Sequence, residues 1–210
     1  MHIPDGLLPA PVYLGGFAIA GLTTWYSLRQ INRNSDPTQQ VPKAAMLTAA
    51  FFVASSVHIP IPPASVHFVL NGLLGVVLGY FAFPAILIGL FFQAVMFGHG
   101  GLASLGINAA LMGIPALVAA QIFRLHRYGK QKWAIALCAF LAGAVGLGLS
   151  ALIFFAISIT LIPSGFNVAA EKTAIYGLAI AHVPLAILEG IFTTMLVLFL
   201  CRVKPELLED

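Results

Sequence analysis

WAIALCAFLAGAVGLGLSALIFFAISITL, residues 133–161, carries no charged side chain and exceeds the roughly 20 apolar residues that a helix needs to cross a bilayer. With a second long apolar run from Thr173 to Leu200, it decides the fold class: an all-α, polytopic membrane protein. The whole chain agrees, since 60% of its 210 residues are hydrophobic, only 8% are charged and the mean hydropathy is +0.99. Soluble domains carry about 25% charged residues. The formal charge of +3 is too weak a bias for nucleic acid.

Outward from that run, five further apolar segments precede it: Val12 to Leu28, Lys43 to Val57, His67 to Phe81, Pro84 to Phe97 and Leu105 to Phe123. Seven transmembrane helices are therefore expected, with Pro184 interrupting the last. Polar gaps between them are short, so residues 1–210 read as one domain, a ligand-bearing segment at 1–11 followed by a helical bundle at 12–204. The third and fourth segments are short and bounded by Pro62, Pro63, Pro84 and the Gly98-His99-Gly100-Gly101 run. Broken helices at membrane depth are tolerated where they line a polar cavity, so a site is expected there. Cys138 and Cys201 lie in apolar runs without Cys-x-x-Cys spacing and read as small core residues.

Seven spans place Arg29, Arg33, Lys43, Arg124, Arg127, Lys130, Lys132, Arg202 and Lys204 on one side and only Lys172 on the other. The positive-inside rule then predicts an outer N-terminus and a cytoplasmic C-terminus in a multi-pass membrane protein. The same partition puts His2, His58, His67, His99 and His182 toward the outside and only His126 in the cytoplasm.

The start of the chain, Met-His-Ile-Pro-Asp-Gly, lacks the basic opening of a signal peptide and is expected to remain on the mature protein. A histidine in second position offers three chelating nitrogens: the amine of Met1, the amide of His2 and the near imidazole nitrogen of His2. That set suits a square-planar Ni(II) or Cu(II) ion with one more ligand. His67 is the best fourth ligand, expected in the first turn of a helix capped by Ser65, with Asn71 one turn further on the same face as a partner for an imidazole or for the N-terminal loop. Asp5 orients a ligand or forms an Asx turn with Gly6. The glycine-rich stretch from Gly98 through His99 to Asn108 reads as a re-entrant or close-packed loop. Lacking Gly-Lys-Ser/Thr, it is no nucleotide cradle.

Glu189, the acid inside the last span, lies seven residues after His182 on one helix face. It reads either as a hydrogen-bonded partner that orients a histidine or, in a proton-coupled carrier for another solute, as a relay with His182. Ser104 lacks a Gly-x-Ser-x-Gly elbow and His-Glu-x-x-His is absent, which argues against a hydrolase. Ala45, Ala49, Ala50 and Ala54 form small-residue rows suited to close helix packing, within the bundle or against a partner membrane subunit.

Four stretches together resemble the substrate-binding membrane subunit of cobalt and nickel energy-coupling-factor transporters, the CbiM/NikM family. They are Met-His-Ile-Pro-Asp-Gly at 1–6, Ser-Val-His-Phe-Val-Leu-Asn-Gly-Leu-Leu-Gly at 65–75, Phe-Gly-His-Gly-Gly-Leu at 97–102 and His-Val-Pro-Leu-Ala-Ile-Leu-Glu-Gly at 182–190. The resemblance implies an N-terminal helix added to a six-helix core and a metal held by Met1, His2 and His67. It implies Ni(II) or Co(II) as transported substrate, no organic cofactor and no enzymatic activity in this chain. It also implies a transmembrane coupling subunit, two cytoplasmic ATPase subunits and a small accessory membrane protein as partners.

Overall fold

The computed structural model describes residues 2–33, 36–61, 64–128, 131–163 and 165–208. Within them run seven α-helices: α1 (Ala10–Ile31), α2 (Val41–Ser56), α3 (Asn71–Leu78), α4 (Ala82–Phe97), α5 (Leu105–Arg124), α6 (Lys132–Thr160) and α7 (Val168–Val203). Local signals explain several ends. Prolines open α1 and α2, where a missing amide hydrogen costs nothing. The Asn167 side chain caps α7 by accepting from the amides of Ala169 and Ala170, and Gly98 ends α4 in the left-handed region.

Two expectations change. Residues 64–67 do not begin a helix; they form β2 (Ala64–His67), paired antiparallel with β1 (His58–Ile61) so that His58 stands opposite His67. Alternating β-branched and proline residues in this short apolar run favour a strand over a helical turn. Ser65 therefore caps nothing helical, and His67 closes a strand three residues before α3. Nor does Pro184 interrupt α7, which runs through it with the loss of one backbone hydrogen bond.

Four helical runs among the described residues are long and apolar enough to cross a bilayer: 71–97, 105–124, 132–160 and 168–203. The first is not one rod. A straight helix of that length would separate its ends by about 40 Å. Instead His67 before it and His99 after it both flank His2, with ring centroids 5.1 and 6.1 Å away. The chain reverses at a 3-10 turn, Gly79–Phe81, where Gly79 takes a φ of 55°. Tyr80, in that turn, meets Tyr26 edge-on at 5.9 Å and the Arg124 guanidinium at 4.9 Å, against the far ends of α1 and α5.

Helix α3 is the centre of the bundle, with all eight residues buried. Its backbone lies so close to α5 that a Cβ on Gly75 would come within 2.0 Å of the Ala116 carbonyl oxygen. Asn71 ties the start of α3 to two neighbours, donating to the carbonyls of Met112 and Gly146, each at 3.0 Å, and to Ser150 Oγ at 2.8 Å. It thus serves the core rather than an imidazole, because as the first residue of α3 it points into the helix contact.

Candidate metal centre

The segment before α1 folds back over the bundle and is held by backbone-like bonds. Ile3, buried in the core, donates its amide to Asn108 Oδ1 at 2.9 Å and accepts from Asn108 Nδ2 at 3.0 Å. Asp5 donates its amide to the Gly100 carbonyl at 3.2 Å. The Asp5 carboxylate accepts from the amides of Ser104, at 2.7 Å, and Ala103, at 3.2 Å. Ser104 immediately precedes α5, so Asp5 caps that helix from a distant part of the chain, a place favoured by charge and by unfilled amides. Burial pushes its carboxyl up, but the bonds from Ser104, Ala103 and Leu102 outweigh that and hold it below the usual value. This capping replaces the Asx turn. It also accounts for Gly101, whose φ is 151° and where a Cβ would sit 2.1 Å from the Asp5 carboxylate carbon.

His2 is delivered by this clamp to a cluster of imidazoles. Its ring lies 5.1 Å from that of His67 and 6.1 Å from that of His99, at interplanar angles of 26° and 25°. Hydrogen bonds assign the donor atoms. Gln93 Nε2 donates to Ser55 Oγ and to the Phe52 carbonyl, a group that only accepts, so Gln93 Oε1 faces His2 Nε2 at 3.0 Å. His2 Nε2 must then carry the hydrogen, which leaves the lone pair on Nδ1, the nitrogen nearest its own amide. His67 is 2% exposed, and its Nδ1 donates to the Phe68 carbonyl at 3.1 Å, placing the lone pair on Nε2. Two imidazoles side by side on one ion through bonds of about 2 Å would have centroids about 4.5 Å apart, close to what His2 and His67 show.

Glu189 governs the other side of His67. Its wholly buried carboxylate accepts from the amide of Val69 at 2.5 Å and from that of Leu70 at 3.1 Å. Leu70 has a φ of 53°, the only positive value of a non-glycine residue among the described residues. Such backbone costs about 1–3 kcal/mol and persists where its surroundings enforce it. Glu189 supplies that enforcement and so sets the three-residue link between His67 and α3.

Of the other expected site residues, His182 donates from Nδ1 to the Leu178 carbonyl at 2.7 Å, and its buried Nε2 has no hydrogen-bond partner among the described residues. Met1 and the side chains of His58 and Ser65 lie outside the described residues. Ala45 and Ala49 line an apolar groove of about 560 Å³ between α2 and α4, whereas Ala54 packs on the core and Ala50 is exposed outside the groove. Among the described residues no three His, Cys, Asp or Glu side chains close into a metal cage. The arrangement offers instead two imidazole nitrogens beside a backbone amide.

Gln93 was absent from the sequence reading, although a lone amide in an apolar helix is itself a signal. It is fully buried and holds His2 by its side chain while its carbonyl accepts the His99 amide at 3.2 Å. Gln93→Ala is expected to lower metal affinity about 10–100-fold, the usual cost of losing a group that orients a histidine ligand. Isothermal titration of the purified chain with Ni(II) checks this, and unchanged affinity would remove Gln93 from the site.

A family model described as the cobalt uptake substrate-specific transmembrane region matches residues 2–207. The chain is 31% identical to a cobalt transport protein, CbiM, of Clostridium tetani, over all of this chain and 88% of that one. It is 34% identical to a fused nickel transport protein, NikMN, of Rhodobacter capsulatus, of which it spans 64%. In structure it resembles a transition metal transporter solved by crystallography, with a TM-score of 0.77 at 24% identity over 97% of this chain and 93% of that one. The chain is a membrane protein of the cobalt and nickel transport family whose model describes the substrate-specific transmembrane region of cobalt uptake.

Proposed function

We propose that this chain captures Ni(II) or Co(II) outside a prokaryotic cell and delivers it across the inner membrane as the substrate-specific subunit of an ATP-driven energy-coupling-factor transporter. The observation that carries the proposal is the pairing of His2 and His67 at 5.1 Å, with lone pairs assigned to His2 Nδ1 and His67 Nε2 beside the His2 amide. The amine of Met1 completes a planar four-nitrogen set, which suits Ni(II) and resembles no oxygen-donor site. Seven passes with an outer N-terminus belong to this reading. The reversal at Gly79–Phe81 makes α3 and α4 antiparallel, which keeps the pass number odd and the basic residues on the cytoplasmic side.

Transport requires an energy source that this chain's motifs do not supply. A transmembrane coupling subunit, two cytoplasmic ATPases and a small accessory membrane subunit are the proposed partners. Ala45 and Ala49, exposed along the apolar groove between α2 and α4, form the face on which a helix of the coupling subunit would pack.

Titration of detergent-solubilised protein with Ni(II) tests the capture step. His67→Ala is expected to abolish high-affinity binding and His126→Ala, at the cytoplasmic end of α5, to leave it intact. Equal binding by both variants would refute the assignment.

Acid should weaken binding, because the amine, the amide and both imidazoles must give up or lack protons to bind metal. Burial first, and then the positive groups around it, hold His2 well below its ordinary value of 6.5. At a pH between its folded and unfolded values the unfolded state binds more protons, so stability rises with pH there. The docked segment should therefore lose stability as pH falls below 6.5, the loss ending once pH passes the folded value. Melting temperatures of the metal-free protein along a pH series check this, and a curve that rises on acidification over that window would contradict it.

A further inference from the structure

The planar set does not include the third imidazole of the cluster. His99 is half-buried on the loop after α4, and its ring centroid stands 6.1 Å from that of His2, with the two planes 25° apart. That separation lies within the range of ring contact, about 4.5–7 Å between centroids. It also matches two imidazoles on opposite sides of a single ion, for which bonds of about 2 Å put the centroids about 6 Å apart. On His2, Nε2 is engaged by Gln93, so Nδ1 is the nitrogen available to an ion.

Chelate geometry says which position His99 would share. In the planar set the His2 amide is flanked by the terminal amine, through a five-membered ring, and by His2 Nδ1, through a six-membered ring. The amine therefore lies opposite Nδ1, and His67 lies opposite the amide. A ligand opposite Nδ1 occupies the amine's position, so His99 and the amine exclude one another on the same ion.

The backbone brings His99 beside the site. Its amide donates to the Gln93 carbonyl at 3.2 Å in the turn that ends α4, while the Gln93 side chain bonds the His2 ring. The flanking Gly100, at a φ of 77°, lies directly against His2, since a Cβ there would reach His2 Cβ at 3.6 Å and Cδ2 at 3.7 Å and would meet Asn108 Nδ2 at 2.8 Å.

We propose that His99 is a transit ligand: with His2 Nδ1 it forms a two-imidazole arrival site for the divalent ion, and the terminal amine then displaces it as the planar set closes. This rests on the planar reading given above. The steps are ligand exchanges in which an imidazole lone pair replaces a metal-bound water and is itself replaced by the amine. A ligand absent from both end states speeds loading and unloading by one factor and leaves the equilibrium unchanged.

Stopped-flow measurements with Ni(II) on the full chain, comparing the native protein with His99→Ala and His99→Gln, test the proposal. Association and release rates are both expected to fall about tenfold or more, with affinity and the final absorption spectrum unchanged. Unchanged rates would overturn it. So would a changed spectrum or a loss of affinity accompanied by a lower melting temperature of the metal-free protein, because His99 would then be an equilibrium ligand or a fold contact. The planar reading is judged separately, by whether the native protein itself gives a planar nickel spectrum.

Discussion

Acetylating the amine of Met1 is expected to lower Ni(II) affinity about 10²-fold or more, a larger loss than that from any single exposed side chain. It turns the amine of the five-membered chelate ring into an amide nitrogen and leaves no free amine beside it. Four-ligand structural zinc sites bind with about 10–16 kcal/mol, or about 3 kcal/mol per ligand, and that is about 10²-fold in affinity. The rest of the segment should stay docked, because Ile3 and Asp5 are held by Asn108, Gly100, Ala103 and Ser104 rather than by the terminus. Isothermal titration and the melting temperature of the metal-free form, measured on both versions, separate loss of a ligand from loss of fold. Unaltered affinity would mean that the amine is no ligand.

Glu189 is expected to split by substitution. Glu189→Ala leaves the buried amides of Val69 and Leu70 without an acceptor, at about 1–3 kcal/mol each. It also releases Leu70 from its left-handed conformation and with it the aim of His67. Both stability and metal affinity should fall. Glu189→Gln retains a carbonyl oxygen that can accept from both amides, as Oε1 does now. It should therefore keep metal binding within a few-fold, a contrast that a hydrogen-bonding role requires and a proton relay does not. A proton-coupled carrier would instead lose transport with either substitution, so uptake of metal by vesicles bearing the Gln variant decides between the two roles.

Hydropathy placed the long elements well because bilayer length and backbone satisfaction leave few alternatives for an apolar run. The segments at Leu105, Trp133 and Lys43 begin within two residues of the observed helices α5, α6 and α2. The stretch from His58 to Leu70 was not legible in the same way. A short apolar run rich in prolines satisfies strand and helix patterns alike, and only its pairing with its own other half and the grip of Glu189 on Val69 and Leu70 decide it.

The candidate site divides along a similar line. His2 stands out because chelation by a chain terminus depends on adjacent residues, and His67 because it is expected to open a helix; it closes a strand instead, yet the geometry brings the two rings together. Asp5 and Asn108 were recognisable as polar residues of interest, yet their work, capping α5 and pairing with Ile3, spans about 100 residues of sequence. Asn71 illustrates the reverse. Its spacing from His67 invited an imidazole partner, and one strand in place of a helical turn sent it into the core instead. Gln93, a lone amide in an apolar helix, signals that some polar contact exists at that depth without showing which one. Its role emerges only when one residue is seen to hold the side chain of His2 and the backbone of His99 together.

The central claim is that the ion is held in a plane by the amine of Met1, the amide and Nδ1 of His2, and Nε2 of His67. X-ray absorption spectroscopy of the Ni(II)-loaded full chain tests it most directly. The expected spectrum is that of four-coordinate, square-planar nickel with nitrogen ligands alone. A six-coordinate ion with oxygen in its shell would contradict the account.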